Sequence, residues 1–490
     1  MKLKNLTTKQ KLAIFTTIAI IIFAMPQALR TLFHHDSMLG STTYYHTRMA
    51  DLVASGAEHD PLSFGGRPMT YPYGFSLMIL ATPAAKYLLA PIIGGLGIII
   101  TYYFTKQLGL TKKQSLYSSM FLFFNPAYAY FASHLNPRLP ALVLMVLAYL
   151  MINKENKKIN YLAAAPILLA LITSPLIGMS MLVIGTIIFR KQIKKTAPAF
   201  TIAFIGFLAY FLPIITKHGL FQNHEAYNIF VEMNRGIQYF ILESGLTAVS
   251  FTFVMILMAI YGFFKLNTKN LKPMREWLLI GVVASLAIFN RMNDLLIFPV
   301  SIIAATVFTT HLKQLRNTLK LEWIPLKHLK AMIWIYLIIL VIVPGIGMIM
   351  IDPEPEQHEV MTWIKNNTSE NATITAHWNE GHYITGIAQR KNVMDPYLEF
   401  APEVDERYRD IRRVLSSSQP EETINIMEKY NSNYMLYRVS PMETCSGFPY
   451  VSKHGRFKEI YSNQEYRVYQ LMDEPVDPGS DLCQELLERN

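Results

Sequence analysis

The stretch KLAIFTTIAIIIFAMPQAL, residues 11–29, indicates the class of fold. After its first lysine it holds no charged residue, and its length is close to the roughly 20 apolar residues that a helix needs to cross a bilayer. The segment before it is basic, and no small-residue cleavage site follows it. We therefore predict a retained first transmembrane helix whose N-terminus lies in the cytoplasm.

Further apolar segments recur along the chain up to residue 350. They lie at residues 84–105, 115–132, 139–152, 161–174, 176–189, 199–216, 246–264, 277–289, 295–311 and 331–350. Together with the first segment, they predict a multi-pass α-helical membrane protein with about 11 transmembrane helices.

Lysine and arginine in the connections determine the predicted orientation, because short cytoplasmic loops retain them. The basic loops lie at residues 106–113, 154–158, 190–195, 265–275 and 313–330. All of them fall on one side only if residues 161–189 cross the membrane twice and residues 73–83 form a re-entrant or surface helix. Loops 30–73 and 217–245 and the C-terminal residues 351–490 are then predicted to be extracytoplasmic.

The distribution of charge divides the chain into two predicted domains. Residues 1–350 hold 31 Lys and Arg against 11 Asp and Glu, whereas residues 351–490 hold 14 against 24. We expect a transmembrane domain at 1–350 and a soluble extracytoplasmic α/β domain at 351–490, because helical and strand-like segments alternate there. Cys445 and Cys483 both lie in that domain, in a compartment that permits a disulfide. The basic loops account for the net charge of +10, so we predict no nucleic-acid partner.

The first extracytoplasmic loop contains side chains with useful chemistry. Asp36 can act as a general base on an incoming hydroxyl or amide, and Arg48 can hold a phosphate in a bidentate geometry. Charged groups at a membrane face are costly and are therefore candidates for function. The structural alternative is a solvated Asp36 and an Arg48 that reaches lipid headgroups. His35 and Asp36 are also candidate metal ligands.

Two stretches resemble the catalytic subunit of oligosaccharyltransferases, a family that includes archaeal and bacterial single-subunit relatives. The sequence YYHTR at residues 44–48 is similar to the family's D-x-Y-Y-H-x-R region. The sequence HWNEG at residues 377–381 lies where the family has W-W-D-Y-G, and the similarity continues to Asp395. Arg291, before an apolar run that contains Pro299, resembles the family's arginine before a late helix.

The resemblance implies a divergent glycosyltransferase of the GT-C class. Such enzymes take a sugar or oligosaccharide from a polyprenyl-phosphate lipid and transfer it with inversion on the extracytoplasmic face. The family's first-loop aspartate would fall near Thr42, so Asp36 is the nearest substitute as a catalytic residue. Glu243, in the loop before the eighth helix, is the second catalytic candidate. The candidates for binding the donor phosphate are Arg48, Arg138 and Arg291.

The resemblance leaves the use of a metal open. The family's acidic pair outside the third and fourth helices, which holds a divalent cation, is replaced here by His134, Asn136 and Arg138. Either Mn²⁺ or Mg²⁺ is bound by other residues, or the reaction is metal-independent.

The resemblance also assigns acceptor binding to a block in the tail. The family's W-W-D-Y-G recognises the acceptor hydroxyl of N-x-Ser/Thr, and its aspartate is Asn379 here. An unpaired buried polar group costs about 1–3 kcal/mol, so we expect weaker discrimination and an acceptor that is either a protein asparagine or another group, such as a glycan. The candidate acceptor-binding residues are His377, Trp378, Asn379, Glu380 and Gly381.

Two alternatives to an oligosaccharyltransferase stay open. One keeps the fold and uses a polyprenyl-phosphate monosaccharide as donor. The other is a non-catalytic protein that binds lipid-linked sugar, or a transporter. Charged residues cluster outside the membrane rather than at its midplane, and no paired broken helices in two similar halves are evident, which disfavours a transporter.

Overall fold

The computed structural model describes most of the chain. The described residues are 6–33, 37–70, 72–82, 84–152, 156–218, 252–266, 269–287, 290–351, 353–417, 419–439, 452 and 454–473. They form two compact units. The helical unit comprises Met1–Leu39, Pro72–Ile214 and Asn228–Ile351, and the tail unit comprises Gly40–Tyr71, Ile215–Tyr227 and Asp352–Asn490.

This division differs from the predicted boundary at residue 350. Most of the first loop and a short piece near residue 215 belong to the same unit as the C-terminal residues. The reason is that loop side chains make buried polar contacts with residues more than 300 positions later, such as Ser63 with Asp395.

The helical unit contains a helix in each predicted apolar segment. Its α-helices are Thr8–Phe33, Tyr73–Leu80, Ala85–Gln107, Lys112–Phe123, Pro126–Ser133, Arg138–Ile152, Lys157–Leu162, Ala164–Thr173, Pro175–Ile188, Ile193–His218, Phe253–Lys265, Lys272–Ala287, Ile297–Thr310, Leu312–Thr318 and Leu326–Ile351. Short 3₁₀ helices lie at Arg190–Gln192 and Asn290–Leu296.

Prolines and capping side chains break several predicted segments into shorter helices. The segment 115–132 is interrupted where the Asn125 side chain accepts hydrogen bonds from two backbone N–H groups and Pro126 begins a new helix. The predicted break between segments 161–174 and 176–189 is present: one helix ends at Thr173, and Pro175 starts the next. The helix Tyr73–Leu80 has 8 residues, about 12 Å of rise, which agrees with the prediction that this segment does not cross a bilayer.

The predicted number of transmembrane helices stays a prediction. Among the described residues, four helices are long and apolar enough to cross a membrane: Thr8–Phe33, Lys86–Gln107, Arg190–His218 and Asn293–Thr310. The pair Pro126–Ser133 and Arg138–Ile152, bent by 112°, would make a fifth if it is one broken span. The helix Ile297–Thr310 is buried along most of its length, against Lys112–Phe123 and Phe253–Lys265, and forms the centre of this unit.

The tail unit is an α/β structure, as predicted. Its α-helices are Ser41–Ala54, Pro355–Asn367, Gly381–Tyr383, Val404–Ser416 and Pro420–Lys429, with a π-helical turn at Ile384–Ala388 and 3₁₀ turns at Ser63–Gly65 and Trp378–Glu380. Its strands are β1 (His59–Asp60), β2 (Arg67–Pro68), β3 (Thr373–Thr375), β4 (Lys391–Asn392), β5 (Tyr434–Arg438), β6 (Phe457–Ser462) and β7 (Tyr466–Leu471).

Five of these strands form one mixed sheet in the order β4-β3-β5-β7-β6. β3 pairs in parallel with β4 and β5, whereas β7 pairs antiparallel with β5 and β6. β1 and β2 form a separate small antiparallel ladder in the first-loop segment. The sheet packs against Pro420–Lys429 through apolar residues that include Ile424, Met427 and Met435.

Candidate functional site

The predicted catalytic residues lie outside the described part of the chain. His35, Asp36 and Glu243 fall there, as do Cys445 and Cys483. On the C-terminal side of Asp36, Ser37 is described and is held to the first helix. Its hydroxyl accepts a hydrogen bond from Nε of the buried Arg30 at 2.8 Å, and its carbonyl accepts one from the Gln27 amide at 3.1 Å.

Arg48 lies on the helix Ser41–Ala54 and forms a bidentate ion pair. One of its guanidinium nitrogens, Nη1, donates to Asp60 Oδ2 at 2.7 Å, and Nη2 donates to Oδ1. Asp60 also accepts the backbone N–H groups of Leu62 and Ser63 at 3.0 and 3.2 Å. The guanidinium therefore fixes the β1 turn, and burial lowers the pKa of Arg48 to about 10, which leaves it cationic at neutral pH. Its assignment to the donor phosphate stays a prediction.

Asp395 connects the first-loop segment to the C-terminal part of the tail unit. Its carboxylate accepts hydrogen bonds from the Ser63 hydroxyl at 2.5 Å and the Tyr397 backbone N–H at 2.9 Å. The guanidinium of Arg67 lies 4.0 Å away and donates to the carbonyl groups of Tyr397 and Glu399. Asp395 and Arg67 are both buried, and the charge of each compensates that of the other inside the tail unit.

Aromatic rings pack over this buried charge cluster. The Tyr45 ring lies 4.6 Å from the His382 ring and 5.0 Å from the Tyr397 ring, measured between centroids. His382 is 4% exposed, and within the described residues its Nδ1 has no hydrogen-bond partner. Burial lowers the pKa of His382 to about 4, against the attraction of Asp395, so the imidazole is neutral at physiological pH.

The structure separates the five predicted acceptor-binding residues into two groups. The Asn379 side chain is exposed, and the rings of His377 and Trp378 are half-buried and in contact, with 3.8 Å between their centroids and 33° between their planes. These three residues occupy the turn Trp378–Glu380 and its N-cap, where the His377 Nδ1 accepts the Asn379 backbone N–H. Their partial or full exposure is compatible with binding an acceptor, and that role stays a prediction.

Glu380 and Gly381 have partners inside the tail unit. Glu380 is 6% exposed and accepts a hydrogen bond from the Gln357 amide at 2.6 Å and another from the Tyr466 hydroxyl at 3.4 Å. A Cβ at Gly381 would lie 2.4 Å from the Cβ of Asp395. The carboxylate and the small residue are therefore required for packing, which the sequence resemblance did not indicate.

In the helical unit, Arg138 pairs with a residue that sequence reasoning did not select. Its Nη1 donates to Asp294 Oδ2 at 3.2 Å, and the side chains of Arg138 and Asp294 are 30% and 7% exposed. The guanidinium also lies over the Phe131 ring, 5.8 Å from its centroid. The two charges are 156 positions apart, so no local pattern links them. Arg291 lies in the same 3₁₀ helix as Asp294, Asn290–Leu296, but its side chain is outside the described part.

The residues that replace the family's acidic pair supply no carboxylate for a divalent cation. His134 Nδ1 donates to the Tyr130 carbonyl at 2.8 Å, and Asn136 Oδ1 accepts the backbone N–H groups of Arg138 and Leu139 at 3.1 Å. Neutral or cationic side chains used in this way do not supply the carboxylate oxygens that Mg²⁺ prefers. Across the described residues, no group of three or more His, Cys, Asp or Glu could hold a metal ion.

The structural comparison confirms the resemblance at the level of the fold. Solved structures with a similar fold include an oligosaccharyltransferase from Archaeoglobus fulgidus and ArnT from Cupriavidus metallidurans. The oligosaccharyltransferase from Archaeoglobus fulgidus, solved with Zn and sulfate, has a TM-score of 0.57 at 13% identity, over 93% of this chain and 73% of that one.

The archaeal oligosaccharyltransferase AglB from Archaeoglobus fulgidus, solved in complex with an inhibitory peptide and a dolichol-phosphate, is also similar. Its TM-score is 0.53 at 14% identity, over 95% of this chain and 75% of that chain. ArnT from Cupriavidus metallidurans, bound to undecaprenyl phosphate, has a TM-score of 0.57 at 11% identity, over 96% of this chain and 100% of that chain. No protein-family model and no curated protein sequence matches the chain.

Proposed function

We propose that this protein is a membrane glycosyltransferase that takes a sugar or oligosaccharide from a polyprenyl phosphate or diphosphate lipid. The observation that carries the proposal is the shared fold. Two kinds of protein with this architecture bind polyprenyl phosphates, dolichol-phosphate in one and undecaprenyl phosphate in the other. The apolar helices of the helical unit suit a donor that reaches the enzyme from the bilayer.

Arg138 would hold the phosphate of the lipid donor. Its side chain is partly exposed, whereas Asp294 beside it is almost buried. The pair therefore keeps the guanidinium in one orientation and leaves donor N–H groups for a ligand. A planar guanidinium bound to phosphate oxygens stabilises the negative charge that appears when the sugar–phosphate bond breaks. Arg48 and Arg291 are the further proposed phosphate-binding residues.

Asp36 would act as the general base. The acceptor oxygen or nitrogen forms a bond to the anomeric carbon while the bond between that carbon and the phosphate oxygen breaks. Asp36 takes the proton from the acceptor, and the electron pair leaves with the lipid phosphate. Glu243 would help to position the acceptor, and the proposed step requires no metal ion.

The turn that contains His377, Trp378 and Asn379 would bind the acceptor on the extracytoplasmic side. Two half-buried rings in contact, next to an exposed amide, offer an apolar face and hydrogen-bonding groups together. Such a surface suits a peptide or a glycan, and we propose no narrower acceptor class.

The test uses the purified chain in lipid nanodiscs with polyprenyl-linked sugars as donor and peptides or glycans as acceptor. We expect the wild type to consume donor, Asp36→Asn to abolish consumption, and Arg138→Ala to slow it about 100-fold, as for loss of one group that stabilises developing charge. Arg190→Ala is the matched control, because Arg190 also forms a bidentate pair with a carboxylate, Glu276, in the helical unit. No donor consumption by a folded wild type, with any polyprenyl donor tested, would contradict the proposal.

A transferase that uses a polyprenyl-phosphate monosaccharide is the second candidate. Two observations favour it over an oligosaccharyltransferase. The chain covers 100% of ArnT but only 73% of the archaeal oligosaccharyltransferase, and His134, Asn136 and Arg138 do not reproduce the acidic pair. Comparing monosaccharide and oligosaccharide donors in the same assay, with a sequon peptide as one acceptor, distinguishes the two.

A further inference from the structure

A tryptophan is displayed at the end of the helical unit between the helices Leu312–Thr318 and Leu326–Ile351. Trp323 is 77% exposed, which is unusual for a large aromatic side chain. It follows the helix Leu312–Thr318, and Lys320, two residues after that helix, has the left-handed conformation with φ 54°. Exposure on this scale costs hydrophobic free energy in water, so a surface that removes the ring from water would stabilise the protein.

The turn that carries Trp323 is well defined by hydrogen bonds. The backbone N–H of Leu321 donates to the Arg316 carbonyl at 3.0 Å, and that of Ile324 donates to the Leu321 carbonyl at 3.0 Å. The Arg316 guanidinium donates to the Ile324 carbonyl at 3.2 Å, and Ile324 is buried. The residues on both sides of Trp323 are therefore held in place while its ring points away from the unit's core.

Positive charge surrounds this turn. Residues 311–330 hold five Lys and Arg and one acid, Glu322. Lys313, Lys320 and Lys327 are exposed. The surface therefore complements an anionic one, and each lysine near an anionic leaflet contributes binding free energy.

The exposed apolar surface continues from the turn along the next helix. Its exposed large side chains follow helical spacing and are Met332, Ile335, Ile338, Ile339 and Ile342. From Met332 to Ile342 this face extends about 15 Å, roughly half the thickness of a bilayer core. Tryptophan concentrates at the boundary between such a core and the headgroups, whereas lysine is depleted at protein–protein interfaces.

We propose that Trp323 and the exposed lysines around it form an anchor that docks on anionic lipid headgroups at one membrane surface. The ring lies at the level of the headgroups, and the ammonium groups bind the lipid phosphates. The anchor fixes the depth of the helix Leu326–Ile351 and is independent of any transferase reaction.

The test places the full chain in nanodiscs of phosphatidylcholine alone, or with phosphatidylglycerol as about a third of the lipid. Tryptophan emission is quenched by lipids that carry a doxyl group either near the headgroup or near the chain end. The emission that Trp323→Phe removes is assigned to Trp323. The emission that Trp363→Phe removes is the matched reference for a tryptophan of the tail unit, because Trp363 packs on Tyr461 there, with 4.9 Å between the ring centroids.

We expect the headgroup-level quencher to reduce the Trp323 emission about twofold more in anionic than in neutral nanodiscs, because the lysines bind charged headgroups. Lys313→Gln with Lys327→Gln should remove that lipid dependence. Lys365→Gln with Lys458→Gln, two exposed lysines of the tail unit, should leave it unchanged. Trp323 emission that no lipid quencher reduces, as expected for a protein partner or for water, would overturn the proposal. Equal quenching in both lipids would overturn the role of anionic headgroups.

Discussion

Replacing Gly381 with alanine tests whether this motif residue is needed for folding or for the acceptor. Gly381 has φ −57° and ψ −38°, an ordinary right-handed helical conformation, so its backbone does not require glycine. The space around the residue does require glycine. A Cβ there would lie 2.4 Å from the Asp395 Cβ, 2.5 Å from the Met394 carbonyl oxygen and 2.7 Å from the Asp395 Cα.

The cost follows from what these neighbours can do. Ordinary carbon contacts are about 3.5–4.0 Å, so the segment around Asp395 would have to move by roughly 1 Å. Asp395 cannot move freely, because Ser63 and the Tyr397 backbone hold its carboxylate and Arg67 lies beside it. Overpacking of a tight core costs about 1–3 kcal/mol, and we expect Gly381→Ala to lie near 3 kcal/mol.

Hydrogen exchange of the full chain, followed by mass spectrometry, measures this cost locally. We expect amides at residues 384–392 to exchange about 100-fold faster in Gly381→Ala, which is the factor that about 3 kcal/mol implies. Gly56→Ala is the comparison: a Cβ there meets nothing within 4 Å, and its φ of +69° adds backbone strain near Gly56, so exchange at residues 384–392 should stay as in the wild type. If Gly381→Ala exchanged like the wild type but lost acceptor use, the packing explanation would be refuted and the acceptor role supported.

Three further changes test the tail unit. Burial lowers the pKa of His382 in the folded state to about 4, so the imidazole of the unfolded chain takes up its proton at a higher pH than that of the folded chain. The melting temperature should therefore fall as pH is lowered from about 6.5 towards 4. His382→Gln should make this fall smaller. Arg48→Ala should lower the free energy of unfolding, measured by chemical denaturation, by about 3 kcal/mol, because the buried Asp60 loses both hydrogen bonds from the guanidinium. The double variant Arg48→Ala with Asp60→Asn should lose less stability than the sum of the two single losses. Trp378→Ala should raise the KM for the acceptor and leave the KM for the donor unchanged, whereas equal loss of both would point to unfolding. Asn366→Ala, an exposed residue of the helix Pro355–Asn367, is the control and should change neither KM.

The arrangement of polar groups at Arg138 shows why part of the site could not be predicted. Sequence reasoning selected Arg138 as a phosphate-binding candidate, but Asp294 was only a residue in a short connection. Their hydrogen bond spans 156 positions and depends on the helix Arg138–Ile152 meeting the 3₁₀ helix Asn290–Leu296. A charged residue in a short loop among apolar segments was the available signal, because such charges are costly near a membrane.

The tail motif shows a second limit of the sequence: it grouped residues that the folded structure separates. The resemblance treated HWNEG at residues 377–381 as one acceptor-binding block, whereas folding separates it. The turn begins at His377, so the next two side chains lie near the surface while Glu380 turns inwards to Gln357 and Tyr466. Neighbouring positions in a tight turn point in different directions, and a linear motif carries no information about which of them is buried.

The sequence alone determined the type and order of the secondary-structure elements along the chain. The long apolar runs predict helices wherever they occur, and alternating segments such as β7 predict strands, because both depend on the spacing of apolar residues along the chain. Only the tertiary structure decided that Gly40–Tyr71 belongs with the C-terminal residues and that Arg48, Arg67 and Arg138 have Asp60, Asp395 and Asp294 as their partners. The physical reason is that compensating a buried charge requires a partner close in space, and chain separation places no limit on where that partner lies.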